Sequence, residues 1–162
     1  MIRNIILIYI FTILCIGCHE NDRLIYTTKP SVFFPDYVTG KDSVTYSFRM
    51  TKEDRDTIYL TAKLVGKSFE TRTPIGLKID KDQTTAQEGI YYEMEDSYWF
   101  EPGKGEIKIP IYLIQGGTDI DDDILTIALQ LIPTEDIDVA YEDKSRVYVR
   151  ITNKLVKPSY WE

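Results

Sequence analysis

The chain has 162 residues, enough for one domain, and 43% apolar with 12% aromatic residues supply a core and exclude general disorder. A net charge of -7 repels phosphate backbones and excludes a nucleic-acid binder. The two cysteines, Cys15 and Cys18, both lie at the N-terminus, which excludes a structural disulfide or a cysteine-based zinc site in the domain that follows.

Arg3 forms a short positive region, and Ile5 to Ile16 is an almost wholly apolar run. It is too short to span a bilayer, where about 20 residues are needed, but it suits the apolar region of an export signal. The segment Cys15-Ile16-Gly17-Cys18 resembles a lipobox, the cleavage motif of bacterial lipoproteins, with Cys15 where leucine is usual. The resemblance implies a signal peptide over 1–17 and a lipidated Cys18 as the first mature residue. Each acyl methylene buried in the bilayer contributes about 0.8 kcal/mol, so several chains anchor stably. His19-Glu20-Asn21-Asp22 resembles the acidic surface-export signal of Bacteroidota lipoproteins. Residues 18–30 are otherwise a polar tether.

From residue 31 to 153 the pattern turns to period two, the mark of strands with one buried face. Ser31–Phe34 is a short strand. Val44, Tyr46, Phe48 and Met50 alternate with polar residues, as do Ile58, Leu60, Ala62 and Leu64. Ile75, Leu77 and Ile79 follow, then a short strand at Ser97–Phe100. Ile107, Ile109, Ile111 and Leu113 come next, then Leu125, Ile127, Leu129 and Leu131, and last Val147, Val149 and Ile151. Thr39 to Asp42, Pro102 to Gly105 and Gln115 to Asp119 read as loops. No helical period interrupts the series. The expected fold is all-β, an antiparallel sandwich of about seven or eight strands, with a closed barrel as the alternative. Residues 154–162 form a C-terminal segment.

Two resemblances add to this reading. Thr84 to Leu131 resembles a Calx-β repeat: Ala86, Gly89 and Tyr92 precede a strand ending in Phe100, then Pro102-Gly103, an isoleucine-rich strand, an acidic turn and a last apolar strand. The whole layout resembles the Bacteroidota lipoproteins of the domain of unknown function numbered 4843. It shares the lipobox, the strand Asp42 to Phe48, the strand end Lys63 to Gly66, the segment Ala86 to Glu93 and the terminal Lys154 to Trp161. This resemblance implies an Ig-like fold and association with SusC/SusD-type nutrient importers. Members of that family usually run on past the Pro158 to Trp161 element, which leaves truncation after Glu162 and natural shortness both open.

No catalytic site emerges, and the chain reads as a non-enzyme with no cofactor. The only histidine, His19, sits beside the expected anchor, away from any cleft a catalytic triad needs. A glycosidase needs two placed carboxylates, and none of the 26 acids is singled out. Calcium is the one cation with a sequence rationale. Asp119, Asp121, Asp122 and Asp123 cluster on one turn, Glu88 approaches from a neighbouring loop with Asp80 and Asp82, and calcium takes 6–8 oxygen ligands. Four aromatics fall on outward phases: Trp99, Tyr59, Tyr112 and Tyr148. Exposed rings bind sugar faces and protein partners at low entropy cost.

The leading functional expectation is a non-catalytic lipoprotein of the outer membrane. It faces the cell surface, with the periplasmic side as the alternative, and serves a SusC/SusD-like importer of glycans or peptides. A carbohydrate-binding module and a calcium-binding adhesion or stalk domain are the competing readings. Cys18→Ala is expected to abolish incorporation of labelled palmitate and to leave the precursor uncleaved, both read by mass spectrometry.

Overall fold

The computed structural model describes residues 29–35, 42–51, 53–116 and 124–155. Among them the chain forms eleven strands: β1 (Ser31–Phe33), β2 (Ser43–Ser47), β3 (Arg55–Val65), β4 (Thr73–Pro74), β5 (Gly76–Ile79), β6 (Tyr92–Glu93), β7 (Trp99–Phe100), β8 (Glu106–Ile114), β9 (Leu125–Ile132), β10 (Asp138–Val139) and β11 (Arg146–Thr152). A five-stranded sheet has the order β10-β1-β3-β8-β6, and a four-stranded sheet the order β2-β11-β9-β5. A third, two-stranded sheet joins β4 to β7. No helix among the described residues is long and apolar enough to cross a membrane.

Period-two sequence builds the two long sheets directly. Leu60 and Ala62 of β3 and Ile109, Ile111 and Leu113 of β8 point to the interior of the five-stranded sheet. Ile127, Leu129 and Leu131 of β9 and Val147, Val149 and Ile151 of β11 are buried with them in one cluster. Each fully buried aliphatic side chain stabilises the fold by about 1.5–3 kcal/mol. The ion pairs, by contrast, are solvent-exposed: Arg55–Glu93, Lys63–Glu106, Lys67–Glu70 and Arg72–Glu101 all keep much of their surface in water. Such pairs are worth about 0–1 kcal/mol each, so packing and not charge holds the sandwich.

The sandwich departs from the expected pattern in three places. The strand count exceeds the expected seven or eight because β4, β6 and β10 have two residues each, too short for an alternation to be read. Not every pairing is antiparallel: β1 runs parallel to β10, and β2 parallel to β11. The chain puts β1 and β2 in different sheets, and later β10 and β11 likewise, so each early strand meets a late strand at a sheet edge. Finally, the strand expected through Met50 ends at Ser47, where Phe48–Met50 form a 3-10 turn. Ser47 ends it by hydrogen bonding. Its Oγ accepts from Arg49 N–H at 3.2 Å and donates to Lys154 O at 2.6 Å. Phe48 is still buried, as the alternation requires, and meets the Tyr46 ring edge-on at 5.0 Å.

Turn chemistry is as expected at Pro102 to Gly105. Lys104 N–H closes the turn on Glu101 O, and Gly103 takes φ 71°, a conformation that glycine adopts without strain. Gly76 is needed for a different reason. A Cβ there would lie 2.2 Å from Ile132 O across the β5–β9 pair.

Ile111→Ala is expected to lower the unfolding free energy by about 2–5 kcal/mol in urea titration. Gly76→Ala should also destabilise, because a backbone carbonyl and not a flexible side chain occupies the space.

Candidate functional site

The pairing of β3 with β8 sets the outer face of the five-stranded sheet. Thr57 is opposite Tyr112, and Tyr59 is opposite Pro110. Tyr59 and Tyr112 are therefore diagonal neighbours on the face opposite to Ile58, Leu60, Ile111 and Leu113, at the roughly 7–8 Å spacing of such pairs. Tyr59 is 62% exposed and Tyr112 38%. β6 sets Glu93 beside Tyr112. Arg55 pairs with Glu93 at 3.5 Å, and Tyr112 Oη donates to the Glu95 carboxylate at 3.2 Å. Arg55, Thr57, Glu93 and Tyr112 line a shallow depression of about 490 Å³ that also touches Asp56.

Two aromatic rings, a guanidinium and two carboxylates thus share one surface. The rings offer flat apolar area, and the charged groups donate to and accept from hydroxyls or amides. Glu93, Glu95 and Arg55 were not singled out from the sequence. The signal was present only in part, since Glu93 falls on the outward phase of a strand too short to read. Glu95 follows that strand, and its contact with Tyr112 comes from the tertiary fold.

The other sequence-derived positions lie elsewhere. Trp99 stands opposite Pro74 in the two-stranded sheet, half-buried, with the Arg72 guanidinium 4.3 Å from its ring centroid. Tyr148 belongs to the four-stranded sheet and donates to Gln83 Oε1 at 2.6 Å. The fold thus brings together two of the four aromatics. Glu88 is exposed, and its backbone forms an isolated parallel bridge with Tyr92. Asp80 Oδ1 accepts from the Asp82 N–H, so that carboxylate closes its own turn. Among the described residues no group of three or more histidine, cysteine, aspartate or glutamate side chains could hold a metal ion. Asp119, Asp121, Asp122 and Asp123 lie outside the described residues, as do Cys18, the export signal, His19 and the Tyr160-Trp161 pair.

Four tyrosines are held neutral beyond their ordinary range. Burial, then the hydrogen bond to Asp56 and its charge, push Tyr46 well above 10.0. Burial followed by the charge of Glu88 raises Tyr92. Burial is also the largest cause at Tyr98. At Tyr112 desolvation comes first, then the hydrogen bond and charge of Glu95 and the nearness of Tyr59.

The family described as domain of unknown function DUF4843 matches residues 21–162. No curated protein matches the chain. Three solved structures share the fold at low identity. The apo form of the Calx CBD1 domain is 15% identical with a TM-score of 0.52, over 79% of this chain and 100% of that one. A two-domain protein of unknown function from Bacteroides fragilis NCTC 9343 is 11% identical with a TM-score of 0.55, over 76% of this chain and 45% of that one. A candidate carbohydrate-binding protein from Bacteroides ovatus ATCC 8483 is 10% identical with a TM-score of 0.53, over 77% of this chain and 37% of that one. The chain thus spans less than half the length of either Bacteroides protein. The all-β, Calx-β-like sandwich expected from the sequence is the fold observed.

The raised tyrosines make stability fall at alkaline pH. In the unfolded chain these side chains lose their protons near 10.0, while in the folded chain they keep them to higher pH. The unfolded state then binds fewer protons, so the stabilisation is intact below pH 10 and is lost as pH rises beyond it. Urea titrations at about pH 9 and pH 11 should show a lower unfolding free energy at the higher pH, with delayed tyrosinate absorbance in the folded chain.

Proposed function

We propose a function on one premise: the chain belongs to the family described as domain of unknown function DUF4843. It is a non-catalytic binding module, anchored through lipid on Cys18 at the outer membrane and facing the cell surface. It offers the outer face of its five-stranded sheet to a glycan or peptide ligand, as an accessory to a SusC/SusD-like importer. The observation that carries this reading is the exposed Tyr59–Tyr112 pair flanked by Arg55, Glu93 and Glu95. A sugar ring presents an apolar face and a hydroxyl rim, and this surface supplies a counterpart to both. The shared fold with a candidate carbohydrate-binding protein supports the glycan arm of the reading, at the level of fold alone.

Energetics favour the tyrosines as the main contributors. Exposed ion pairs such as Arg55–Glu93 contribute little to stability, so they remain free to exchange water for ligand hydroxyls. A ring desolvated on both sides by a ligand dominates a small interface.

Tyr59→Ala and Tyr112→Ala are each expected to weaken retention on a polysaccharide affinity gel by more than about 1 kcal/mol of binding free energy. Because Tyr59 is mostly in water, Tyr59→Ala should change unfolding free energy by less than about 0.5 kcal/mol. Retention by no polysaccharide gel, together with purification from native membranes free of importer components, would overturn the proposal.

A further inference from the structure

The strand running from Thr73 to Ile79 has two edges, and only one is fully paired. Asp80 N–H donates to Ala128 O at 2.8 Å, with Thr84 Oγ1 bridging the return side between Asp80 O and Ala128 N–H, so the even-numbered residues of this strand turn their backbone groups to β9. Stepping by two along the β5–β9 register, Lys78–Gln130 and Gly76–Ile132 face each other in the same way. The far side of β9 agrees. Leu131 N–H donates to Ser145 O, so odd-numbered residues of β9 serve β11 and even-numbered ones serve β5. Leu77 and Ile79 therefore direct their N–H and C=O groups away from β9, to the open edge of the sheet.

That open edge begins as a paired one. β4 and β7 pair Thr73 with Phe100 and Pro74 with Trp99, and Ile75 N–H donates to Tyr98 O at 3.0 Å. Continued in register, Asp96 would face Leu77 and Met94 would face Ile79. Instead the chain bends at Asp96. Glu95 N–H donates to Tyr98 Oη, and Tyr98 Oη donates to Pro110 O, which ties the segment to β8. Among the described residues, nothing hydrogen-bonds the edge groups of Leu77 and Ile79. A cleft of about 230 Å³ separates Leu77 and Ile79 from Met94 to Ser97. Glu88, Glu95 and Asp96 line it, with Lys78 the one basic residue among the lining side chains.

We propose that this cleft docks an extended, lysine- or arginine-bearing segment of a partner protein, which adds to β5 as a further strand. Two N–H and two C=O groups in fixed register supply the backbone pairing. The excess of carboxylates along the cleft selects a basic segment and disfavours an acidic one. The site is separate from the tyrosine face and goes beyond the ligand-binding role proposed for that face.

The test uses the full chain and a fluorescent, end-blocked heptapeptide of alternating valine and lysine. Anisotropy should rise saturably, and amide hydrogen exchange at Leu77 and Ile79 should slow while Gly76 and Lys78 stay unchanged. The same peptide N-methylated at its internal residues, and a valine–glutamate heptapeptide, should each bind at least about tenfold more weakly. Ile79→Pro removes an edge N–H that β9 does not use and should weaken binding similarly. The two altered peptides probe the unaltered protein, so the test stands if that variant does not fold. Protection at Leu77 and Ile79, and not at Tyr59 or Tyr112, distinguishes this site from the tyrosine face. Absent binding, equal binding of the three peptides, protection centred elsewhere, or Leu77 and Ile79 amides already as slow as Lys78 in the free protein would each overturn the proposal.

Discussion

The register of β3 against β8 carries both the interior of this protein and its exposed aromatic surface. The pairing runs from Arg55 opposite Ile114 to Lys63 opposite Glu106. In it, Leu60 and Ala62 turn inward at the same time as Tyr59 turns outward, and Ile111 and Leu113 turn inward as Tyr112 turns outward. Side chains alternate with a period of two, so a slip of one residue would exchange the two sets. Burying Tyr59 while exposing Leu60 would forfeit the core. The hydrophobic effect therefore fixes the position of residues that take no part in it.

From this pair the rest of the sandwich follows outward. β1 and β10 extend one side and β6 the other, while β9 and β11 cap the interior with their own alternating rows. Local hydrogen bonds then decide where strands stop. Ser47 ends β2 by turning its hydroxyl on the backbone, and the link from Glu95 through Tyr98 to Pro110 pulls the chain away from β5. Polar side chains at strand ends thus shape the edges, whereas apolar ones shape the faces.

The long strands were legible because their alternation lasts for three or four apolar positions, as at Ile107 to Leu113. What was not legible is what tertiary contact alone creates. Trp99 falls on the outward phase between buried Tyr98 and Phe100, yet nothing local shows that Arg72, far back in the chain, covers its ring and leaves it half-buried. Tyr59, Tyr112 and Tyr148 share the same outward signal, but only the strand order reveals that Tyr148 belongs to the other sheet. The parallel edges were unreadable for the same reason. Period two marks a buried face and carries no information on strand direction.

Those parallel edges give the domain a mechanical character. β2 and β11 run side by side from Ser43 opposite Tyr148 to Ser47 opposite Thr152, the first near the start of the domain and the second near its end. A pull that draws the entry of β2 and the exit of β11 apart acts along both strands in opposite senses. It loads their rungs in shear, so the rungs resist together and do not open one by one as in a zipper. Tension applied between those two points therefore loads the whole seam at once.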